Sequence, residues 1–314
     1  MRDGRETGKT VLAFAIIYFV WGASFLAIRI GVAEVPPLLF ASFRFLAAGL
    51  ILSAWTVLRG QPAPTRSEWI SITVLATLIF LVDYGLLFWA EQRVPSGIAA
   101  VMLAMIPVFT ALSEIILLGT QRLTFRLVLA LLIGTSGVVV LMSRSLDLGG
   151  APVDRIGALA LIVAATSWSV ASALARKLPL PSSRVMSSAT QMLVGGGILA
   201  LVSLGLGDFR RFDPGAVSLR AWTALLYLVV PGSIIAFTAY VWLIQRESPT
   251  KVGTYAYVNP VVAVLLGYFA AGEALDQRTV LGTMCVLVSV VVITTMPVPG
   301  KPASHRPRDR SASG

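Results

Sequence analysis

Four ionisable residues of this 314-residue chain sit inside long apolar runs: Arg29, Arg44, Asp83 and Glu114. A charge in such surroundings costs free energy, so each is a candidate for binding or proton transfer. Arg44 and Asp83 fall at matching depth, about 10 Å in from one end of their runs at 1.5 Å per residue. Equal depth on successive antiparallel helices permits a salt bridge. Such a pair is either a packing clamp or, with Asp83 facing a cavity, a carboxylate that binds a cationic group or exchanges a proton. Glu114, one turn from the end of its run, either snorkels toward Arg122 or Arg126 or takes a coupling role. Arg29 lies near the end of its run and can snorkel.

Aromatic side chains form a second set. Trp69, Trp89, Trp222 and Trp242 stand at the ends of apolar runs and fit an interfacial belt. Trp21 and Trp168 stand near mid-run, which suits the wall of a central pathway. Tyr84, Tyr240, Tyr255 and Tyr257 are further pathway candidates, the last two just ahead of Pro260. Pro107 and Pro260 interrupt backbone hydrogen bonding within two of the runs and are hinge candidates. Other chemistry has little to stand on. His305 lies in a Ser/Pro/Arg tail and Cys285 in an apolar run, each the single residue of its type, so His-based catalysis and Cys-rich metal sites are not expected. No phosphate loop, Ser-His-Asp set or metal-ligand cluster is present, so neither an enzyme nor a resident cofactor is expected.

The elements that must position these residues are membrane spans. The chain is 56% hydrophobic and 13% charged with a mean hydropathy of +0.83, about half the charge of a soluble domain. Ten stretches approach the roughly 20 apolar residues that cross a bilayer, at 11–31, 38–58, 69–90, 96–118, 125–143, 155–175, 185–206, 221–243, 252–271 and 277–296. Short connectors such as AEVPP, EQRVPSG and QRESPTK separate them. With the N-terminus in the cytoplasm, sixteen of the 25 Lys and Arg fall on the cytoplasmic side, seven outside, and Arg29 and Arg44 within spans. That bias puts both termini in the cytoplasm of a multi-pass inner or plasma membrane protein. The net charge of +10 is scattered between spans, which fits anionic lipid headgroups rather than nucleic acid.

The chain also repeats itself. WGASFLAIRIG at 21–31 is echoed by WSVASALARKL at 168–178, with Trp21 matching Trp168 and Arg29 matching Arg176 at an offset of 147 (168 − 21). Arg44 matches Gln191 at the same offset. Beyond a longer connector, Trp69, Trp89, Arg93 and Pro107 match Trp222, Trp242, Arg246 and Pro260 at 153 (222 − 69). Arg126 and Arg278 match at 152 (278 − 126). Five spans is an odd number, so the second copy enters the membrane from the other side, as in inverted-repeat carriers. The expected fold is therefore all-α, ten transmembrane helices in two inverted five-helix repeats. The segments are 1–10 (cytoplasmic), 11–143 (first repeat), 144–154 (linker), 155–296 (second repeat) and 297–314 (disordered basic tail).

WGASFLAIRIG, RFLAAGLIL, SGIAAVMLAMIPVFTALSEIILLG, SWSVASALARKL and VNPVVAVLLGYFAAGEAL together resemble the drug/metabolite transporter superfamily, in its ten-span EamA-type branch. The resemblance covers roughly residues 11–296. It departs from the family at 119–123, where Gly-Thr-Gln-Arg-Leu stands for a Gly-Glu-Arg-Leu-like turn, the acid being kept only at Glu273. The resemblance implies an exporter of a small metabolite, an amino acid or related compound, working by alternating access. Protons, another coupling ion or facilitated diffusion all fit. A lipid-linked sugar flippase of the same fold and a non-transporting membrane sensor are the alternatives. Oligomeric state is not written in the sequence.

Overall fold

The computed structural model describes residues 4–94, 99, 102–141, 154–271 and 277–296, all of them helix, turn or coil. The expected tail at 297–314, nearly all of the expected linker, and Glu273 lie outside those residues. The principal helices are α1 (Gly4–Val32), α2 (Pro37–Leu58), α3 (Arg66–Ala90), α4 (Ile106–Leu118), α5 (Phe125–Leu141), α6 (Arg155–Leu174), α7 (Arg184–Gly205), α8 (Leu219–Ile244), α9 (Tyr255–Ala271) and α10 (Gln277–Thr295). Six of them, α1 to α3 and α6 to α8, are long and apolar enough to cross a bilayer, and α4, α5 and α10 are shorter apolar helices. The outside of the bundle is apolar: Leu58, Phe125, Leu219 and Ile116 are each more than three-quarters exposed. Helices that are apolar outward and carry their polar groups inward belong in lipid.

Local sequence sets where the helices begin. Thr65 and Glu68 form a reciprocal capping box at α3, the Glu68 carboxylate accepting from the Thr65 backbone N–H at 2.7 Å. Asp154 caps α6 by accepting from the backbone of Ile156 and Gly157, both at 2.9 Å. Ser183 and Ser218 cap α7 and α8 in the same way. Each of these satisfies donors that the first helical turn leaves open.

Long helices pair antiparallel. The start of α1 meets the end of α8 through Glu6 and Arg246 at 2.6 Å, and its other end meets the start of α8 through Glu34 and Ser218. We call the end holding the start of α1 the near end, and the opposite one the far end. α2 crosses α7 so closely that a Cβ on Gly49 would stand 2.8 Å from the Leu193 backbone nitrogen. A Cβ on Gly196 would stand 2.8 Å from that of Leu46. These are the same contact taken twice, since 196 − 49 and 193 − 46 both equal 147. The pair ends alike as well, through Gly60 at φ +63° and Gly207 at φ +76°, again 147 apart. α5 and α10 pack against each other, with Ser289 donating to the Ala130 carbonyl at 2.6 Å.

Three helices are not regular, α4 closing on π turns over Glu114–Leu118. In α3 the turns over Thr77–Tyr84 are π-helical, and in α8 so are those over Leu228–Ile235. Such turns free backbone groups for other partners and recur at functional sites. The Leu78 carbonyl accepts from Ser167 of α6 at 2.8 Å, and the Gly232 carbonyl accepts from the Trp21 indole N–H of α1 at 3.0 Å. The widened turns occupy corresponding stretches, Leu78 and Pro231 being 153 apart (231 − 78).

Candidate functional site

Five aromatic rings from five helices meet at the centre of the bundle. Trp21 of α1 and Trp168 of α6 stand edge to face with centroids 5.6 Å apart. Tyr255 of α9 packs against Trp21 at 4.8 Å, and Tyr240 of α8 against Trp168 at 4.9 Å. Tyr84 of α3 completes the group, 5.9 Å from Trp168. All five are buried. Tilted and edge-on rings at these separations each contribute about 1 kcal/mol beyond their burial. The polar tips are engaged: Tyr240 shares a 2.6 Å hydrogen bond with Ser172, and Trp21 holds the Gly232 carbonyl. Phe45, Phe80 and Phe237 continue the cluster away from Trp168. Of the six aromatic pathway candidates named from the sequence, Trp21, Tyr84, Trp168, Tyr240, Tyr255 and Tyr257, the structure brings the first five into one box.

Tyr257 does not join them. Its hydroxyl donates to the Leu131 carbonyl at 3.0 Å and lies 3.2 Å from Thr135, both on α5. Residues two apart on a helix point to nearly opposite sides, so Tyr255 and Tyr257 cannot share a face.

The expected Arg44–Asp83 salt bridge is absent among the described residues. Arg44 is 1% exposed, and its guanidinium turns to α8, Nε donating to Ser233 at 2.9 Å and Nη2 to the Gly232 carbonyl at 3.4 Å. The Phe45 and Tyr84 rings lie 4.7 and 5.0 Å from its Cζ, and Nη1 has no hydrogen-bond partner among the described residues. Asp83, adjacent to Tyr84 and 4% exposed, has no ion pair or hydrogen bond to any described residue. Equal depth was the ground for pairing them, and depth says nothing of direction around the helix axis.

Glu114 also departs from expectation, reaching neither Arg122 nor Arg126. It is 1% exposed, and its Oε2 accepts from the Thr250 backbone N–H at 3.1 Å and hydroxyl at 2.7 Å. Its Oε1 accepts from Thr120 at 3.1 Å. Glu114 thus ties α4 to the single turn Pro249–Val252 that leads into α9, at the near end. Tyr18 of α1 reaches the same segment, 2.7 Å from Thr254.

The two prolines differ. Pro107 opens the regular part of α4, directly after a break at Ala104–Met105. Pro260 lies inside α9, whose run of helix is preceded by a break at Gly253–Thr254. The matched irregularities are the π turns of α3 and α8 instead. Arg176 braces the near end, donating to the Ile244 and Glu247 carbonyls.

One group was missed from sequence. Glu91, in the connector EQRVPSG that reads as a solvated loop, is 4% exposed with neither carboxylate oxygen hydrogen-bonded to a described residue. Burial pushes its carboxyl up to about 7, against the pull of Arg29. No sequence signal separates it from the exposed residues beside it.

Comparison with known proteins bears on this arrangement. Residues 8–143 match the EamA-like transporter family, and residues 155–295 match it a second time. The "Uncharacterized inner membrane transporter YedA" of Escherichia coli strain K12 is 37% identical over 284 residues, 90% of this chain and 89% of that protein. Protein PecM of Dickeya dadantii is 27% identical over 294 residues, 93% of this chain and 94% of its own. A protein of known crystal structure, 23% identical, superposes with a TM-score of 0.72 over 91% of this chain and 96% of that one, a likeness of fold. With its apolar multi-helix exterior and two family matches spanning nearly its whole length, this chain belongs to the EamA-like transporter family of membrane transporters.

Proposed function

We propose that the chain carries a small molecule across the inner or plasma membrane by alternating access, with the aromatic box as its resting place. The observation that carries this reading is the box itself. Trp21 and Trp168, equivalent in the sequence repeat, meet at the centre with Tyr84, Tyr240 and Tyr255 around them and Asp83 alongside. Aromatic walls with a few polar groups are what small-molecule sites are made of. The rings touch one another, so a substrate reaches them only when helices part. In this reading the ten helices form two inverted five-helix repeats, 11–143 and 155–296, with both termini cytoplasmic. The twin Gly49–Leu193 and Gly196–Leu46 contacts across antiparallel α2 and α7 support the symmetry. So do the paired π turns, since matched interruptions mark the site in repeat transporters.

Transport runs outward, and the cargo is an amino acid or a related compound. Cells over-expressing the chain, challenged with toxic concentrations of amino acids and related metabolites, should tolerate at least one of them better and release it faster. Trp168→Ala should abolish that gain at unchanged membrane abundance. No altered efflux or uptake across the set, or full activity in Trp168→Ala, would overturn the reading.

A further inference from the structure

The far end of α3 holds a carboxyl group that the fold buries without a donor among the described residues. Glu91 follows the last residue of α3, and neither of its oxygens is hydrogen-bonded to any of them. Its neighbours are occupied elsewhere. Gln92 donates to the Val32 carbonyl at 3.1 Å, pinning the end of α3 to the end of α1. Arg93 lies over the Trp89 ring and 3.8 Å from Asp154 at the start of α6. Glu34, beyond α1, accepts from the Ser218 backbone N–H and hydroxyl, both at 2.7 Å. Among the described residues, the charge that acts on Glu91 is Arg29, in the last turn of α1. Pro95 to Ile98, which follow in the chain, carry no ionisable group.

A carboxylate deprived of both water and donors is costly, and taking up a proton removes the cost. If this end of the bundle opened, water would reach the group, and the Arg29 charge would then favour the ionised form. Position ties the group to the centre. Arg29 is eight residues beyond Trp21 on α1, and Glu91, just past the end of α3, is seven beyond Tyr84 (29 − 21 and 91 − 84). They stand about 12 and about 10 Å along the helix direction from the aromatic box. We propose that Glu91 is a proton-binding site, protonated while the far ends of α1 and α3 are packed together and deprotonated when they part. The link from that opening to substrate release rests on the transport reading above; the site and its proton do not.

The test uses the purified full chain in detergent micelles, with no substrate. On a pH jump from about 8 to about 6, followed with an indicator dye, the wild type should take up about one proton per chain more than Glu91→Gln. Arg29→Gln should leave that proton in place and move its midpoint to higher pH, a shift that a merely structural Glu91 cannot give. Hydrogen exchange of the peptides covering the far ends of α1 and α3, corrected for intrinsic chemistry, should be several-fold slower at the lower pH in the wild type. It should not depend on pH in Glu91→Gln. Equal proton uptake by wild type and Glu91→Gln, an unmoved midpoint in Arg29→Gln, or pH-independent exchange in the wild type would overturn the proposal.

Discussion

The α2–α7 crossing makes a prediction in which packing and helix propensity can be separated. Gly49 and Gly196 each face the backbone of the other helix, with a built Cβ 2.8 Å from a main-chain nitrogen. A main-chain atom cannot swing aside as a side-chain tip can, so either alanine must push the helices apart. Overpacking of this kind costs about 1–3 kcal/mol, while alanine in place of glycine within a helix returns about 1 kcal/mol. Gly197, next along α7, has no described atom within 4 Å of its built Cβ and isolates the second term. Gly197→Ala should therefore stabilise by up to about 1 kcal/mol. Gly49→Ala and Gly196→Ala should each fall about 1–3 kcal/mol below it, and by equal amounts if the two contacts are one contact repeated. The double variant should cost less than the two singles together, because the first Cβ already opens the gap for the second. Denaturant unfolding in mixed micelles, followed by far-ultraviolet circular dichroism, reads all four. A Gly49→Ala protein that gains stability as Gly197→Ala does would refute the close crossing. Unequal losses at Gly49 and Gly196 would refute the equivalence.

Other perturbations follow from the same contacts. Thr250→Val removes one of the two bonds from Thr250 to Glu114 and should lower stability by about 0.5–2 kcal/mol, the range of interhelical bonds in membrane proteins. In a Glu114→Gln background the same change should cost measurably less, as a double-mutant cycle in micelles would record. Asp83→Asn should leave stability unchanged or raised, because it removes a buried ionisable group with no described partner; a salt-bridge clamp would require a loss and strong coupling to Arg44→Gln. Efflux, measured in the same variant, should fall. For Glu91 the sign of the pH dependence is set by a folded-state value near 7 against an ordinary 4.5. The unfolded chain then binds fewer protons between those values, so Glu91's contribution is fully present below about pH 4.5 and lost as pH rises through 7. The loss is about 3 kcal/mol at 1.36 kcal/mol per pH unit, and it should appear as the difference between wild-type and Glu91→Gln unfolding curves measured across that range.

What the sequence made legible, and what it hid, have one physical division. Hydropathy and charge bias need only composition along the chain, so the helical bundle and most helix limits could be read to within a few residues. The offset of 147 needs only order, and it paired Trp21 with Trp168 before any geometry was known. The misses concern direction around a helix. Arg44 and Asp83 share a depth, yet Arg44 turns to Ser233 of α8. Tyr255 and Tyr257 share a turn, yet one faces the box and the other α5. Depth advances by 1.5 Å per residue, whereas azimuth advances by about 100°, so a single inserted residue leaves depth almost intact and redirects every side chain beyond it. The π turns of α3 and α8 are such insertions, and nothing in TLIFLVDY marks one, although Pro231 and Gly232 break the pattern in α8. Past those turns lie Glu91, just after α3, and Tyr240 on α8. Tyr240 reaches the box because α8 is rewound just before it, and Glu91 is turned inward from a connector whose composition reads as solvated. The side chains hardest to place from sequence are therefore those downstream of the irregular turns, and these are the ones on which both the aromatic box and the proton site depend.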